Sequence, residues 1–85
     1  MAKYKVEIRR SAAKEIKKLP ADAVKKIMEK IAALADNPRP PGALKLSGDE
    51  KYRLRTGAYR ILYNIEDDVL TVYVVKAGHR RDVYR

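Results

Sequence analysis

Between Lys51 and Ala77 the sequence KYRLRTGAYRILYNIEDDVLTVYVVKA reads as three consecutive strands, Lys51 to Arg55, Ala58 to Glu66 and Val69 to Ala77. Only Thr56-Gly57 and Asp67-Asp68 separate them. Links this short can join antiparallel strands but not parallel ones, whose crossovers need about a dozen residues or more. The C-terminal half is therefore read as an antiparallel meander. If each pair is a complete hairpin turn, Ile61, Tyr63 and Ile65 oppose Val74, Val72 and Leu70, while Tyr52 and Leu54 oppose Ile61 and Tyr59. That face is wholly apolar and has to be covered. The other carries Lys51, Arg53, Arg55, Arg60, Leu62, Asn64 and Glu66 beside Val69, Thr71, Tyr73 and Val75, a mixture suited to an open, solvated groove.

The cover has to come from the N-terminal half. KYKVEIRR alternates Tyr4, Val6 and Ile8 with charged residues and reads as a first strand. Ser11 is placed to cap a helix through AAKEIKKL, with Ala12, Ile16 and Leu19 on one side. Pro20 interrupts it, and a second helix starting near Ala21 or Asp22 carries Val24, Ile27, Met28, Ile31 and Leu34 as one stripe. Its basic opposite face, with Lys25, Lys26 and Lys30, is either solvated surface or a nucleic-acid contact. ADNPRPPG stops that helix, and NPRPPGALKLSGDE reads as an irregular surface connection. The expected architecture is a two-layer α+β fold in the order β-α-α-β-β-β, a single domain over residues 1–85.

Charge narrows the partners. Charged residues make up 36% of the chain and the formal net charge is +9, which calls for an anionic partner: nucleic acid, an acidic protein or an anionic membrane surface. No apolar run approaches the roughly 20 residues that span a bilayer, and MAKYKVEIRR has no signal-peptide core, so a cytoplasmic protein is expected. With no cysteine and one histidine, disulfides and thiolate metal sites are excluded, and neither a metal nor a cofactor is expected.

The same register sets Arg53 directly opposite Arg60 on the open face. Like charges across a strand pair destabilise, so an anionic ligand is expected between them. The alternatives are that the two guanidinium groups diverge into water, or that a longer turn changes the register. Beyond Gly78 the chain continues as HRRDVYR, which would bring His79 and Arg80 towards the edge of that face. A cluster of Lys51, Arg53, Arg55, Arg60 and Arg80 suits phosphate, because guanidinium forks bind phosphate oxygens in pairs and stay charged. Binding alone would be served by this. RNA also offers its own nucleophile, the 2′-hydroxyl, so cleavage needs only a proton acceptor, a proton donor and cations for the charge-rich transition state. Neighbouring arginines favour the phenolate of a tyrosine, which fits Tyr84 for proton transfer beside Arg80 and Arg81. Tyr84 could equally stack on a base or anchor the tail. His79 is a further candidate for acid-base work, yet it is a lone histidine with no second histidine or carboxylate to orient it.

On YRLRTGAYRILY and VVKAGHRRDVY, the chain resembles the RelE-type toxins of bacterial and archaeal toxin-antitoxin systems, and the strand followed by two helices matches their N-terminal half. The resemblance covers essentially the whole chain. It implies a RelE-like microbial-RNase-type fold and a metal-independent endoribonuclease that enters the ribosomal A site and cuts messenger RNA by 2′-hydroxyl attack. By motif position, Lys51 and Arg53 would hold phosphate, with Arg55 of lesser weight. Arg60 would stabilise the transition state, Arg80 act as acid, and Tyr84 act as base or position the nucleotide. His79 stands where other members place another basic residue and is carried as a phosphate-binding position. The implied partners are the ribosome, its message and a small acidic RelB-like antitoxin. The related ParE-type toxins share the fold, inhibit DNA gyrase and lack this residue set, so its retention favours RelE over ParE.

Overall fold

The computed structural model describes residues 3–46 and 50–79. The elements are β1 (Lys5–Ile8), α1 (Arg10–Lys17), α2 (Ala21–Ala33), β2 (Leu44–Lys45), β3 (Lys51–Thr56), β4 (Tyr59–Glu66) and β5 (Thr71–His79), with one 3-10 turn at Asp67–Val69. They form an α+β fold in which one five-stranded sheet, ordered β1-β5-β4-β3-β2, carries the helices on one face. β1 runs parallel to β5, and the other pairings are antiparallel.

The start of α1 differs from expectation. Ser11 lies inside the helix rather than capping it, and extended Arg9 (φ −64°, ψ 148°) occupies the cap position with no side-chain cap bond. The backbone explains this: the Arg9 amide still donates to the Val74 carbonyl at 2.9 Å, so the chain turns directly from the sheet into the helix without a spacer. Pro20 takes the cap position of α2, where its missing amide proton costs nothing. Along α2 the inward stripe is Ala23, Ile27 and Ile31, continued by Leu34, whereas Met28 is 40% exposed and belongs to the outer face. The stretch read as irregular contains the two-residue edge strand β2, with Leu44 opposite Arg53. It is too short to show a period of its own.

Both hairpins keep the expected faces but shift their partners. Gly57, at φ +63°, is the first central residue of a two-residue turn completed by Ala58, the position a type II′ turn reserves for glycine. Thr56 therefore pairs with Tyr59, and Arg55, not Arg53, sits opposite Arg60. At the second hairpin the loop spans residues 67–70, with Leu70 left-handed at φ 47°, so Glu66 pairs with Thr71. Ile65 then opposes Val72, Tyr63 opposes Val74, and exposed Leu70 leaves the core. A β-bulge between Leu62 and Tyr63 inserts Val75 as an extra residue, and beyond it Ile61 pairs with Ala77. The two turn shifts move partners by two residues and keep every face, whereas beyond the bulge partners move by three, which brings Ala77 into the core and Lys76 to the open face.

The core joins Ala12, Ile16, Ile27, Ile31 and Leu34 to Tyr52, Leu54, Ile61, Tyr63, Ile65, Val72, Val74 and Ala77. Each fully buried large aliphatic side chain contributes about 1.5–3 kcal/mol of hydrophobic stabilisation. At the end of the sheet away from Gly57, a polar latch ties the proline-rich loop down. Arg39 donates through Nε to the Tyr52 hydroxyl (2.9 Å) and through its terminal nitrogens to Glu50 (3.2 Å) and Asp67 (3.0 Å), and it lies 5.3 Å from the Tyr52 ring centre. Lys45 also reaches Glu50 (3.0 Å), and the Tyr4 hydroxyl donates to Asp67 (2.6 Å).

These partners hold both carboxyls below their ordinary range: the Lys45 and then the Arg39 hydrogen bonds for Glu50, Arg39 and then Tyr4 for Asp67. A depressed carboxyl pKa contributes stability above the unfolded value, about 4, and loses it as pH falls through the folded one. The melting temperature is therefore expected to hold down to about pH 5 and to fall below about pH 4. Arg39→Met should flatten that acid limb and cost about 1 kcal/mol at neutral pH, a small figure because the latch is solvated. Parallel acid limbs in the two proteins would show that the latch is not the cause.

Candidate nucleic-acid interface

The face of the sheet turned away from the helices carries the cations in rows across the strands. In the row nearest the Gly57 turn, Arg55 pairs with Arg60 and Arg60 with Gly78. The next row holds Arg53, Leu62 and Lys76, and the third Lys51, Asn64 and Tyr73. Adjacent strands lie about 5 Å apart and successive same-face residues about 7 Å, so the three β3 cations span about 14 Å of one ridge. A chain of phosphates could follow it.

Burial grades these cations. Arg55 is exposed and Lys51 and Arg53 half-buried, whereas Arg60 is only 8% exposed. Arginine keeps its charge even so, and a cation fixed in a partly dry strip acts on a neighbouring anion more strongly than one free in water. Gly78, on the far side of Arg60, has no side chain to fill that strip. A phosphate approaching here meets two guanidinium groups from adjacent strands. The like-charge opposition expected from sequence exists, with Arg55 in place of Arg53.

His79 lies elsewhere. It pairs with Tyr59, and the rings meet edge-to-face at 5.8 Å and 80°. Tyr59 packs against the core on the helix side, and the histidine lines a cleft of about 400 Å³ at the edge of β5 with Glu15, Lys18 and Leu19 of the α1 region and with Lys76 and Gly78 of its own strand. Strand alternation thus carries it to the side opposite Arg55 and Arg60, not into their groove. Arg80 and Tyr84 lie outside the described residues. Among the described residues, no three His, Asp or Glu side chains converge as metal ligands would.

The family profile of the ParE toxin of type II toxin-antitoxin systems, parDE, matches residues 6–84. A Methanocaldococcus jannaschii protein designated toxin RelE1 is 34% identical over 98% of this chain and 97% of its own length. The chain belongs to the RelE/ParE toxin family. RelG, a toxin of Mycobacterium tuberculosis, is 32% identical over 96% of this chain and 97% of its own. In structure, the RelE chain of the Pyrococcus horikoshii RelE-RelB complex superposes with a TM-score of 0.81 at 26% identity, covering 94% of this chain and 98% of that one.

Within this RelE/ParE frame, sequence reasoning missed two contributors. Arg39 organises the latch, but it sits among prolines in a stretch without periodicity, where nothing marks a long-range partner. Gly78 lies just beyond the expected last strand, Val69 to Ala77, but β5 runs through it to His79. No periodic signal marks it, because the bulge at Val75 is what sets Gly78 rather than Ala77 opposite the most buried arginine.

Proposed function

We propose that this RelE-type toxin is a ribosome-dependent mRNA endonuclease, cutting in the A site through attack by the message's own 2′-hydroxyl. The observation that carries the reading is buried Arg60 between Arg55 and the bare backbone of Gly78. In this reaction the 2′-oxygen bonds to phosphorus as the bond to the 5′-oxygen breaks, and the phosphoryl oxygens gain charge in between. Fixed cations aimed at that charge lower the barrier. Lys51 and Arg53, with Arg55, hold the flanking phosphates, and Arg60 stabilises the transition state. Following the family resemblance, Tyr84 takes the 2′-hydroxyl proton or positions the nucleotide, and Arg80 protonates the departing 5′-oxygen. His79, on the other side of the sheet, has no part in this groove. No metal is assigned to any step.

The experiment adds purified protein to ribosomes programmed with a defined message and maps the cuts. Arg80→Ala and Tyr84→Phe are expected to lose cleavage, as is Arg60→Ala; full activity in all three would end this mechanism. Because the matched profile is that of ParE, a second reading is inhibition of DNA gyrase. Gyrase-dependent DNA breaks with intact message would support it. The regulatory partner is proposed to be an acidic RelB-like antitoxin, since the Pyrococcus horikoshii relative is solved as a complex with RelB and a chain of net charge +9 attracts carboxylates. Toxin and antitoxin should associate more weakly as salt rises. An affinity equal at 50 mM and 500 mM salt would remove the electrostatic part.

A further inference from the structure

The third row of the open face has chemistry that phosphate holding does not use. Lys51, Asn64 and Tyr73 lie side by side on β3, β4 and β5. They stand four residues along β4 from Arg60, about 13 Å away. The Asn64 Oδ1 is closed off from solvent and has no hydrogen-bond partner among the described residues. Folded proteins seldom leave such an atom unsatisfied, and a rotation of the amide would present it to a ligand in the adjoining cleft. The amide borders a cleft of about 260 Å³ that Glu50, Lys51, Ile65 and Glu66 also line.

The charge of this cleft separates it from the arginine row. Glu50 is engaged by Lys45 and Arg39, and Glu66 adds a second carboxylate to the cleft wall. Lys51 continues the phosphate ridge of Arg53 and Arg55, but the two carboxylates make the cleft beside it a poor seat for phosphate. A neutral, planar group with both donors and acceptors suits it better, and half-buried Tyr73 offers a ring on the same face for stacking. An asparagine amide presents one donor and one acceptor side by side, the complement of the N6 and N7 edge of adenine.

We infer that Asn64 and Tyr73 form a base-recognition subsite, selective for adenine in a nucleotide outside the one being cut. The inference rests on the nuclease reading, and the two fail in different ways. The first measurement needs no ribosome: the isolated protein is titrated with a labelled oligouridylate and with the same oligomer carrying one central adenosine. The wild type should bind the adenosine oligomer about tenfold more tightly. Asn64→Leu should erase the difference, and Tyr73→Ala should weaken both. Asn64→Leu keeps the branched heavy-atom skeleton and removes an unsatisfied polar atom, and circular dichroism of the variant checks its fold. Equal wild-type affinities, or a preference that survives Asn64→Leu, would overturn the subsite. The second measurement maps cuts on programmed ribosomes, where Asn64→Leu should redistribute the sites with less than a threefold change in total rate. An unchanged distribution would overturn the subsite and leave the nuclease standing; a wild type that never cuts would overturn the nuclease, and the oligomer titration would still decide the subsite.

Discussion

Arg60→Ala is expected to lower message cleavage on the ribosome by about 10²–10³-fold, the usual effect of removing one pre-positioned donor from a developing oxyanion. The size follows from burial. An exposed cation on the ridge, such as Arg55, acts through water and is partly replaceable by its neighbours, whereas Arg60 is 8% exposed and fixed in the middle of the sheet. Its charge is already oriented before substrate arrives, so little reorganisation opposes its action on the transition state. Arg60→Lys separates charge from geometry: it keeps the cation and loses the planar fork, and should recover only part of the rate. Circular dichroism and thermal melting of each variant distinguish lost chemistry from lost fold. A folded Arg60→Ala protein cutting within a few-fold of wild type would remove this residue from the mechanism.

The largest effect on stability is expected at Tyr63. Its ring is fully buried, stacked on Tyr52 at 5.8 Å and 19°, and its hydroxyl donates to the Pro38 carbonyl at 2.7 Å. Tyr63→Ala should cost about 3–5 kcal/mol, from a total that is about 5–15 kcal/mol for ordinary domains and near the lower end for a short chain. The variant should be partly unfolded at 37 °C in chemical or thermal denaturation. Tyr63→Phe keeps the packing and strands the Pro38 carbonyl, for about 1–2 kcal/mol. Burial, with nearby Tyr52, pushes the Tyr63 phenol up to about 12. An acid whose folded pKa is raised stabilises below its unfolded value, near 10, and that stability is lost between about pH 10 and 12. Tyr63→Phe should lack this part of the alkaline loss. A Tyr63→Ala protein as stable as wild type would mean that the tyrosine pair is not the keystone of the core.

What the sequence revealed and what it hid divide along physical lines. Face assignment was legible because alternation has a period of two, and errors in turn length moved partners by an even number of residues. Ile61, Tyr63 and Ile65 point inward as expected, and Arg53, Arg55 and Arg60 outward. Exact partners were not legible, because they depend on whether Gly57 opens the turn or closes it and on the conformation of Leu70. The bulge at Val75 has no local signature at all. It helps set which residue faces Arg60, so the composition of the site hung on a feature that strand periodicity does not encode. The latch was hidden for another reason: Arg39 meets Asp67 across 28 positions of chain, and no local pattern announces such a contact.

The sheet order also has a consequence for how the molecule is assembled. β5, made after the other four strands, is inserted between β1 and β4. Until it arrives, β1 has no neighbour, and the half-buried Val6 and Ile8 that later pack on the core lack the strand beside them. The meander and the helices can gather early, but pairing the first strand with the last requires closing nearly the whole chain, which is slow. Refolding should therefore show β1–β5 protection from hydrogen exchange appearing late. Because Gly78 belongs to that same last strand, the strip beside Arg60 is bounded only when the final pairing has formed.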